Sequence, residues 1–527
     1  MSRTDKADWK IVWIFCGMLA VCSLLMMRIY LLSMSSGLQQ AAAEQSSYTL
    51  TVTTTRGRIY DRRMQPLTDT EQHDLIAVLP TAQAAQDCAK QIEGTARRAA
   101  LDRIAQGTPF LLDITGKDGE REKVYSQDVE NITTAARLPH DPTEQRAVHL
   151  LGYRDSEGKG LTGIERAFDS RLEKAGEPVR VRCQVDALGR ALEQGRMQQI
   201  VEQVGSQIDR GAVVVMEVDS GELIACASFP SYDPYRLESA LKDERKPLIN
   251  RALMPYCVGS SFKLAVAAAA LEQGIPPSFS VDCVGGTTVA GRIFYCHNHA
   301  GHRQTNLRRA IEQSCNPYFI KLGQKAGAQA LLGMAQALGF GQETVLAEGI
   351  IARQGTLPSL EELSSPHELA NFSFGQGKLT ATPVQVAAMV SAVANGGLAV
   401  SPKLVLGSTT DGSTLEPQQQ TAPVRVFSER TAQILREDMI GVVEQGSATM
   451  AKPQQGGAGG KTASAQTGIL DEDGEEVVHA WFAGFFPAQQ PRYAAVVLIE
   501  GGEYGGQVAS PIFRQIVDRY GPLEPEA

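Results

Sequence analysis

Few of the 527 residues are tryptophan, only three, and no stretch of the chain concentrates lysine or arginine. The formal net charge is −9, with acidic residues outnumbering basic ones. A concentrated basic face is what nucleic-acid binding usually requires, so that class is excluded. No period of 20 to 50 residues recurs, which removes solenoids and propellers. Cysteine is too sparse for a disulfide scaffold: nine in all, two of them in the N-terminal apolar run, leaving an odd seven beyond it. What remains is ordinary globular composition, 43% hydrophobic and 21% charged, in a chain longer than one core usually serves.

Ile11 to Met27 carries no charge, and four apolar residues follow Arg28. Roughly 20 apolar residues suffice to span a bilayer, so residues 11–32 read as a transmembrane anchor. Arg3, Lys6 and Lys10 precede it and no Lys or Arg follows Arg28 until Arg56, which predicts a cytoplasmic tail at 1–10 and an extracytoplasmic bulk. A cleaved signal peptide, with Ala41-Ala42-Ala43 as the small-residue site, is the rival; the apolar stretch is long for it. Residues 33–47 read as a polar stalk, and 48–200 as an elongated α+β module.

From Asp209 the texture changes. Val213–Met216, the turn Asp219-Ser220-Gly221 and Leu223–Ser228 predict a β-hairpin. A helical zone is expected from 260 to about 400, then strands at Gly459–Thr467, His479–Phe486 and Tyr493–Glu500, and a closing helix at Ser510–Tyr520. That order predicts an α+β domain over 201–527, a five-stranded antiparallel sheet with helices packed on it.

Ser260 and Lys263 stand at i, i+3 at the start of an Ala-rich segment, where a helix would put them on one face. A serine hydroxyl needs a base to become a nucleophile, and a buried lysine can serve. S-x-x-K alone is weak. It is followed by Ser314-Cys315-Asn316 and by Lys461-Thr462-Ala463-Ser464, and this ordered set is that of penicillin-binding proteins and class A β-lactamases.

The wider chain resembles a class B penicillin-binding protein, the monofunctional peptidoglycan D,D-transpeptidase of division or sporulation type. Arg56–Arg62 (RGRIYDR), Gly163–Arg166 (GIER), Asn250-Arg251-Ala252, Gly375-Gln376-Gly377 with Thr382-Pro383, and Tyr504-Gly505-Gly506 match that family in order. The resemblance implies a pedestal domain within residues 33–200 and a transpeptidase domain after it. It implies that Ser260 attacks the D-Ala–D-Ala carbonyl of a stem peptide, that Lys263 is the base, and that Ser314 relays a proton while Asn316 holds the substrate amide. It further implies that Lys461 supplies positive charge, that Thr462 and Ser464 receive the terminal carboxylate, and that the backbone N–H groups of Ser260 and Ser464 form the oxyanion hole. It implies no cofactor, acylation by β-lactams, and a SEDS-type glycosyltransferase as partner in the membrane. A D,D-carboxypeptidase, a β-lactamase-like hydrolase and a non-catalytic divisome scaffold are the competing functions.

Two positions depart from the family pattern: Val258 where proline is common, and Ala463 where the K-T-G strand has glycine. The methyl of Ala463 is expected near the substrate, altering affinity rather than chemistry. Cys296-His297-Asn298-His299-Ala300-Gly301-His302 raises the question of zinc. No second Cys/His pair stands at a spacing typical of zinc modules, so an exposed polar loop without metal is expected. A Cys296–Cys315 disulfide beside the cleft is a possible redox device, worth roughly 3 kcal/mol for a loop of this length; Cys283 with Cys296, or Cys257 with Cys315, are rival pairings.

Overall fold

The computed structural model describes residues 195–234, 237–409, 416–417, 421–471 and 473–521 without a break, 147–155, 158–173 and 180–183 before them, and shorter stretches between 17 and 135. The described positions of the expected anchor, between Gly17 and Arg28, are helical, whereas the rest of 11–32 and the expected stalk lie outside the described residues. No helix among the described residues is long and apolar enough to cross a membrane.

The chain divides into two compact units. The first, Met1–Thr54 with Gln72–Ala136, contains a three-stranded antiparallel sheet. Its strands are β1 (Gln72–Val78), β2 (Phe110–Asp113) and β3 (Val129–Ala135), with β1 in the middle. Helices α1 (Ala82–Gln91) and α2 (Gly94–Ala105) accompany them around a small core that includes Val78, Ala84, Cys88 and Phe110.

The second unit, Thr55–Glu71 with Arg137–Ala527, is built on a five-stranded antiparallel sheet. In chain order its strands are β4 (Gly211–Glu217), β5 (Leu223–Phe229), and, after the helical middle, three that are numbered below. β4 and β5 form the expected hairpin around Asp219–Gly221, β4 three residues and β5 one residue longer than the apolar pattern suggests. Helix α3 (Gly195–Gly205) packs on β5, and its Met197, Val201 and Val204 join the main core. So do Ile59, Leu150, Ile164 and Leu172, so this part of the expected pedestal shares its core with the larger sheet.

The zone from 260 to 400 is less uniformly helical than expected. It holds α4 (Lys263–Glu272), then four short strands, β6 (Val281–Cys283), β7 (Gly286–Val289), β8 (Arg292–Tyr295) and β9 (Arg303–Thr305). These pair as two small ribbons, β7 with β8 and β6 with β9. Helices α5 (Leu307–Glu312) and α6 (Asn316–Ala326) follow. Helix α7 (Pro383–Ala394) opens with a full capping box: Gln385 N–H donates to Thr382 Oγ1 at 3.2 Å and Thr382 N–H to Gln385 Oε1 at 3.0 Å. Nearly all of α7 is buried, packed against β4 and the late strands.

Helix α8 (Glu429–Glu444) leads to β10 (Gly459–Leu470), β11 (Glu476–Phe486) and β12 (Tyr493–Ile499), and α9 (Gly505–Tyr520) closes the chain against all three. The sheet order is β10-β11-β12-β4-β5. β4 lies inside the sheet, between β12 and β5, and its first six residues are buried, which explains an apolar run without alternation. β10 stands at an edge. Two ties bind the segment before Ser260 to this sheet. Trp481 Nε1 donates to Cys257 O at 3.0 Å, and Glu500 Oε1 accepts from Arg251 Nε at 2.8 Å and from the Tyr256 hydroxyl at 2.7 Å.

Candidate active site

Ser260 lies on a 3-10 turn, Gly259–Phe262, that leads directly into α4; Lys263 is the first residue of the α-helix. The tighter turn is possible because Gly259 takes φ +58°, a conformation that L side chains rarely adopt. A side chain there would also meet the edge strand: a Cβ would fall 2.9 Å from Ala465 Cβ and 3.4 Å from Ala463 Cβ.

The Lys263 amine is completely buried and fully engaged. It donates to Ser314 O at 2.8 Å, to Ser314 Oγ at 3.2 Å and to Asn316 Oδ1 at 2.7 Å, and its ammonium sits 5.5 Å over the Phe319 ring. Among the described residues it makes no hydrogen bond to Ser260 Oγ. The i, i+3 spacing brings the two residues to one place, and α5 and α6 bring it the S-x-N segment. Ser314 is held at φ +51°, a turn that aims its hydroxyl back at the two lysines, while Asn316 begins α6 behind the N-cap Cys315.

Lys461 arrives from the opposite side on β10. Its amine donates to Ser314 Oγ at 3.0 Å and to Thr462 O at 2.8 Å. One serine oxygen thus receives both buried amines. No carboxylate pairs with either lysine among the described residues. Burying two uncompensated ammonium groups side by side is costly, so both pKa values fall. Burial pushes Lys263 down to about 8, and burial together with the Lys263 charge pushes Lys461 well below its usual value. A lysine poised near neutrality can accept a proton from a serine hydroxyl.

Along β10 the side chains alternate. Ser464 is exposed, and its Oγ accepts from Gly505 N–H at 3.3 Å; Thr462 shares a 3.0 Å hydrogen bond with Ser447. Ala463 is 3% exposed, on the side that faces Gly259. Its methyl therefore packs under the nucleophile turn and does not project into the open cleft, contrary to the expectation from sequence. Ser447, on the loop after α8, carries no motif and nothing in the sequence marks it.

The expected polar loop 296–302 also needs correction. His297 and His299 are exposed, but Cys296 and His302 are buried. Cys296 and Cys315 are both free thiols, as are Cys257 and Cys283. The segment joins the site through Asn316 Nδ2, which donates to Tyr295 O at 3.1 Å.

Residues 211–518 match the family described as penicillin binding protein transpeptidase domain. The chain is 27% identical over 540 residues to Stage V sporulation protein D of Bacillus subtilis, covering 92% of this chain and 80% of that one. It is 29% identical to the peptidoglycan D,D-transpeptidase PbpA of Mycolicibacterium smegmatis, across 71% of this chain and 82% of the relative. Among solved structures, penicillin-binding protein A from M. tuberculosis, as a ceftriaxone acyl-enzyme complex, superposes with a TM-score of 0.63 at 25% identity, covering 71% of this chain and 91% of that one. The chain belongs to the penicillin-binding protein transpeptidase family, as a class B member.

Proposed function

We propose that this chain is a serine-type peptidoglycan D,D-transpeptidase that cross-links stem peptides through an acyl-enzyme on Ser260 and is itself acylated by β-lactams. The observation that carries the reading is the convergence of Lys263, Ser314, Asn316 and Lys461 beside the Ser260 turn. Neutral Lys263 takes the Ser260 proton as Oγ attacks the D-Ala–D-Ala carbonyl. The negative charge that develops on the carbonyl oxygen is met by the backbone N–H groups of Ser260 and Ser464. The C–N bond then breaks, and Ser314, hydrogen-bonded to both amines, passes a proton to the leaving D-alanine. An amine of a second stem peptide attacks the ester, forms the cross-link and regenerates Ser260. Asn316 orients the substrate amide, and Thr462 and Ser464 receive its terminal carboxylate beside Lys461.

Residues 11–32 serve as a single membrane anchor with residues 1–10 in the cytoplasm. Residues 33–200 serve as stalk and pedestal, and 201–527 as the extracytoplasmic transpeptidase domain. The partner is a SEDS-type glycosyltransferase engaged through anchor and pedestal, in division or sporulation. The relative named for stage V sporulation supports the second of these settings.

The test is covalent labelling by a fluorescent penicillin. Ser260→Ala removes one hydroxyl, so folding is unchanged and labelling disappears. Stoichiometric labelling of the folded variant would refute the assignment.

A further inference from the structure

Four buried side chains meet next to the S-x-N segment without a role in the chemistry above. The sulfurs of Cys283, Cys296 and Cys315 and a ring nitrogen of His302 all lie within 4.8 Å of one another. They come from four places in the fold: the end of β6, the residue after β8, the residue before β9, and the N-cap of α6. In the chain they are spaced 13, 6 and 13 residues apart, which is not the paired spacing of common zinc modules.

We propose that Cys283, Cys296, His302 and Cys315 form a structural zinc site that clamps the S-x-N segment to the two β-ribbons. The donor set, three thiolates and one imidazole, is that of closed structural zinc centres. The spacing fits as well. With Zn–S about 2.3 Å and Zn–N about 2.0–2.1 Å at tetrahedral angles, a sulfur and a nitrogen ligand stand about 3.5 Å apart. His302 Nδ1 lies 3.5 Å from Cys296 Sγ and 3.7 Å from Cys283 Sγ. Backbone amides reach two of the sulfurs: those of Asn298 and Asn316 hydrogen-bond to Cys296, and that of Tyr318 to Cys315. Amide-to-sulfur contacts of this kind hold metal-bound thiolates in place.

The fold shows what such a clamp accomplishes. Two-stranded ribbons are marginal by themselves. Here β6 with β9 and β7 with β8 are three or four residues long and largely exposed. Turns at Gly285 (φ +94°) and Gly301 (φ +79°) bring the 283–285 and 299–301 backbones so close that a Cβ at Gly301 would fall 2.1 Å from Cys283 O. These contacts gather the ligands on the inner side. Cys315 lies between Ser314 and Asn316, both bonded to Lys263, and Asn316 also bonds to Tyr295 O just before Cys296. A metal at this point fixes the relay serine from behind. The consequence for catalysis rests on the proposed function; the metal site does not.

The full-length protein, purified without added metal or chelator, is analysed for metal content and for thiols under denaturing conditions. The expected result is about one zinc per chain, as for a closed tetrahedral centre. Protein produced in cobalt should show the intense visible absorption of tetrahedral cobalt thiolate. Cys283→Ser and His302→Ala should each lose the metal, whereas His299→Ala, which alters an exposed side chain on the same loop, keeps both metal and labelling. Stripping the zinc should slow penicillin acylation by about 10–100-fold. Ser260→Ala should retain zinc while failing to label, so failure of the metal site and failure of the transpeptidase reading are separable. If the Cys283 and His302 variants do not fold, the zinc content and cobalt spectrum of the unaltered chain decide. Metal-free protein that labels fully, with these thiols alkylated freely or with Cys296 and Cys315 joined as a disulfide, would overturn the proposal.

Discussion

Lys461 Nζ donates to Ser314 Oγ at 3.0 Å, from a strand 147 residues further along the chain. Since Lys263 reaches the same oxygen, Ser314 is the junction of the two amines. Ser314→Ala should leave the fold intact, because the hydroxyl contributes little packing. It should slow penicillin acylation by about 100-fold or more, the scale of a lost proton-transfer group. Stopped-flow acylation kinetics check this; a rate within a factor of about three of the parent would show that protons reach the leaving group by another route.

Lys263 is the stronger test of general-base chemistry. Lys263→Ala should abolish measurable acylation, since a neutral serine without a base is a poor nucleophile. It also leaves Asn316 Oδ1 and Ser314 O without their buried donor, so melting temperature should fall too. Circular dichroism separates the two effects. Rapid acylation in a folded Lys263→Ala protein would move the base elsewhere.

Gly259→Ala puts a methyl where φ is +58° and Ala465 Cβ is 2.9 Å away. A cost of about 1–3 kcal/mol is expected from the backbone conformation alone, together with slower acylation as the Ser260 turn shifts. Ala463→Gly acts on the other side of the same contact. It removes a buried methyl, a loss of about 1 kcal/mol in stability, and acylation should stay within about tenfold of the parent. A large gain in acylation from Ala463→Gly would show that the methyl obstructs the ligand after all.

Asp438, on α8, is buried, with Oδ2 lacking a hydrogen-bond partner among the described residues and Oδ1 3.7 Å from Arg308 Nε. Burial raises its pKa from 3.8 to about 7; Arg308 opposes this, whereas Glu312 and Glu437 add to it. The folded state thus holds a proton that the unfolded chain releases near pH 3.8. Stability should therefore fall as pH rises from about 4 to about 7 and level off above. Asp438→Asn should remove that slope and raise stability at pH 8 by about 2 kcal/mol. Denaturant melts at pH 5 and pH 8 give the comparison; an equal pH slope in both proteins would mean that Asp438 titrates normally.

Much of this architecture was legible in the sequence because its signals are local. β4 and β5 announce themselves by apolar runs around an Asp-Ser-Gly turn, and the late strands by the same pattern. The reacting residues were found through three short motifs. What the sequence concealed depends on contacts across distance. Ser260 occupies a 3-10 turn because Gly259 closes against Ala465, a neighbour more than 200 positions away. Ala463 turned out to face that glycine. The ribbons at 281–305 were hidden inside a helical expectation, since strands of three or four residues carry too little alternation to detect. Cys283 could not be linked to His302 until β6 paired with β9.

The position of β10 at the border of its sheet has a consequence for solubility as well as for catalysis. A border strand carries a row of unsatisfied backbone donors and acceptors, and any extended chain, including another copy of this protein, can satisfy them. For a substrate that is itself an extended peptide this is an advantage, since it can lie alongside as a sixth strand. Self-association is the hazard that comes with it, and the strand limits it by losing register. Its pairing with β11 is regular through Gln466 and then shifts before Leu470, with Gly468 at φ +72°. The exposed Ile469 and Leu470 thus lie past the irregularity, out of line with the Lys461–Ser464 stretch. The regular stretch that remains, Gly459–Gln466, is long enough to bind a short stem peptide, and the irregularity keeps the exposed apolar pair from extending it.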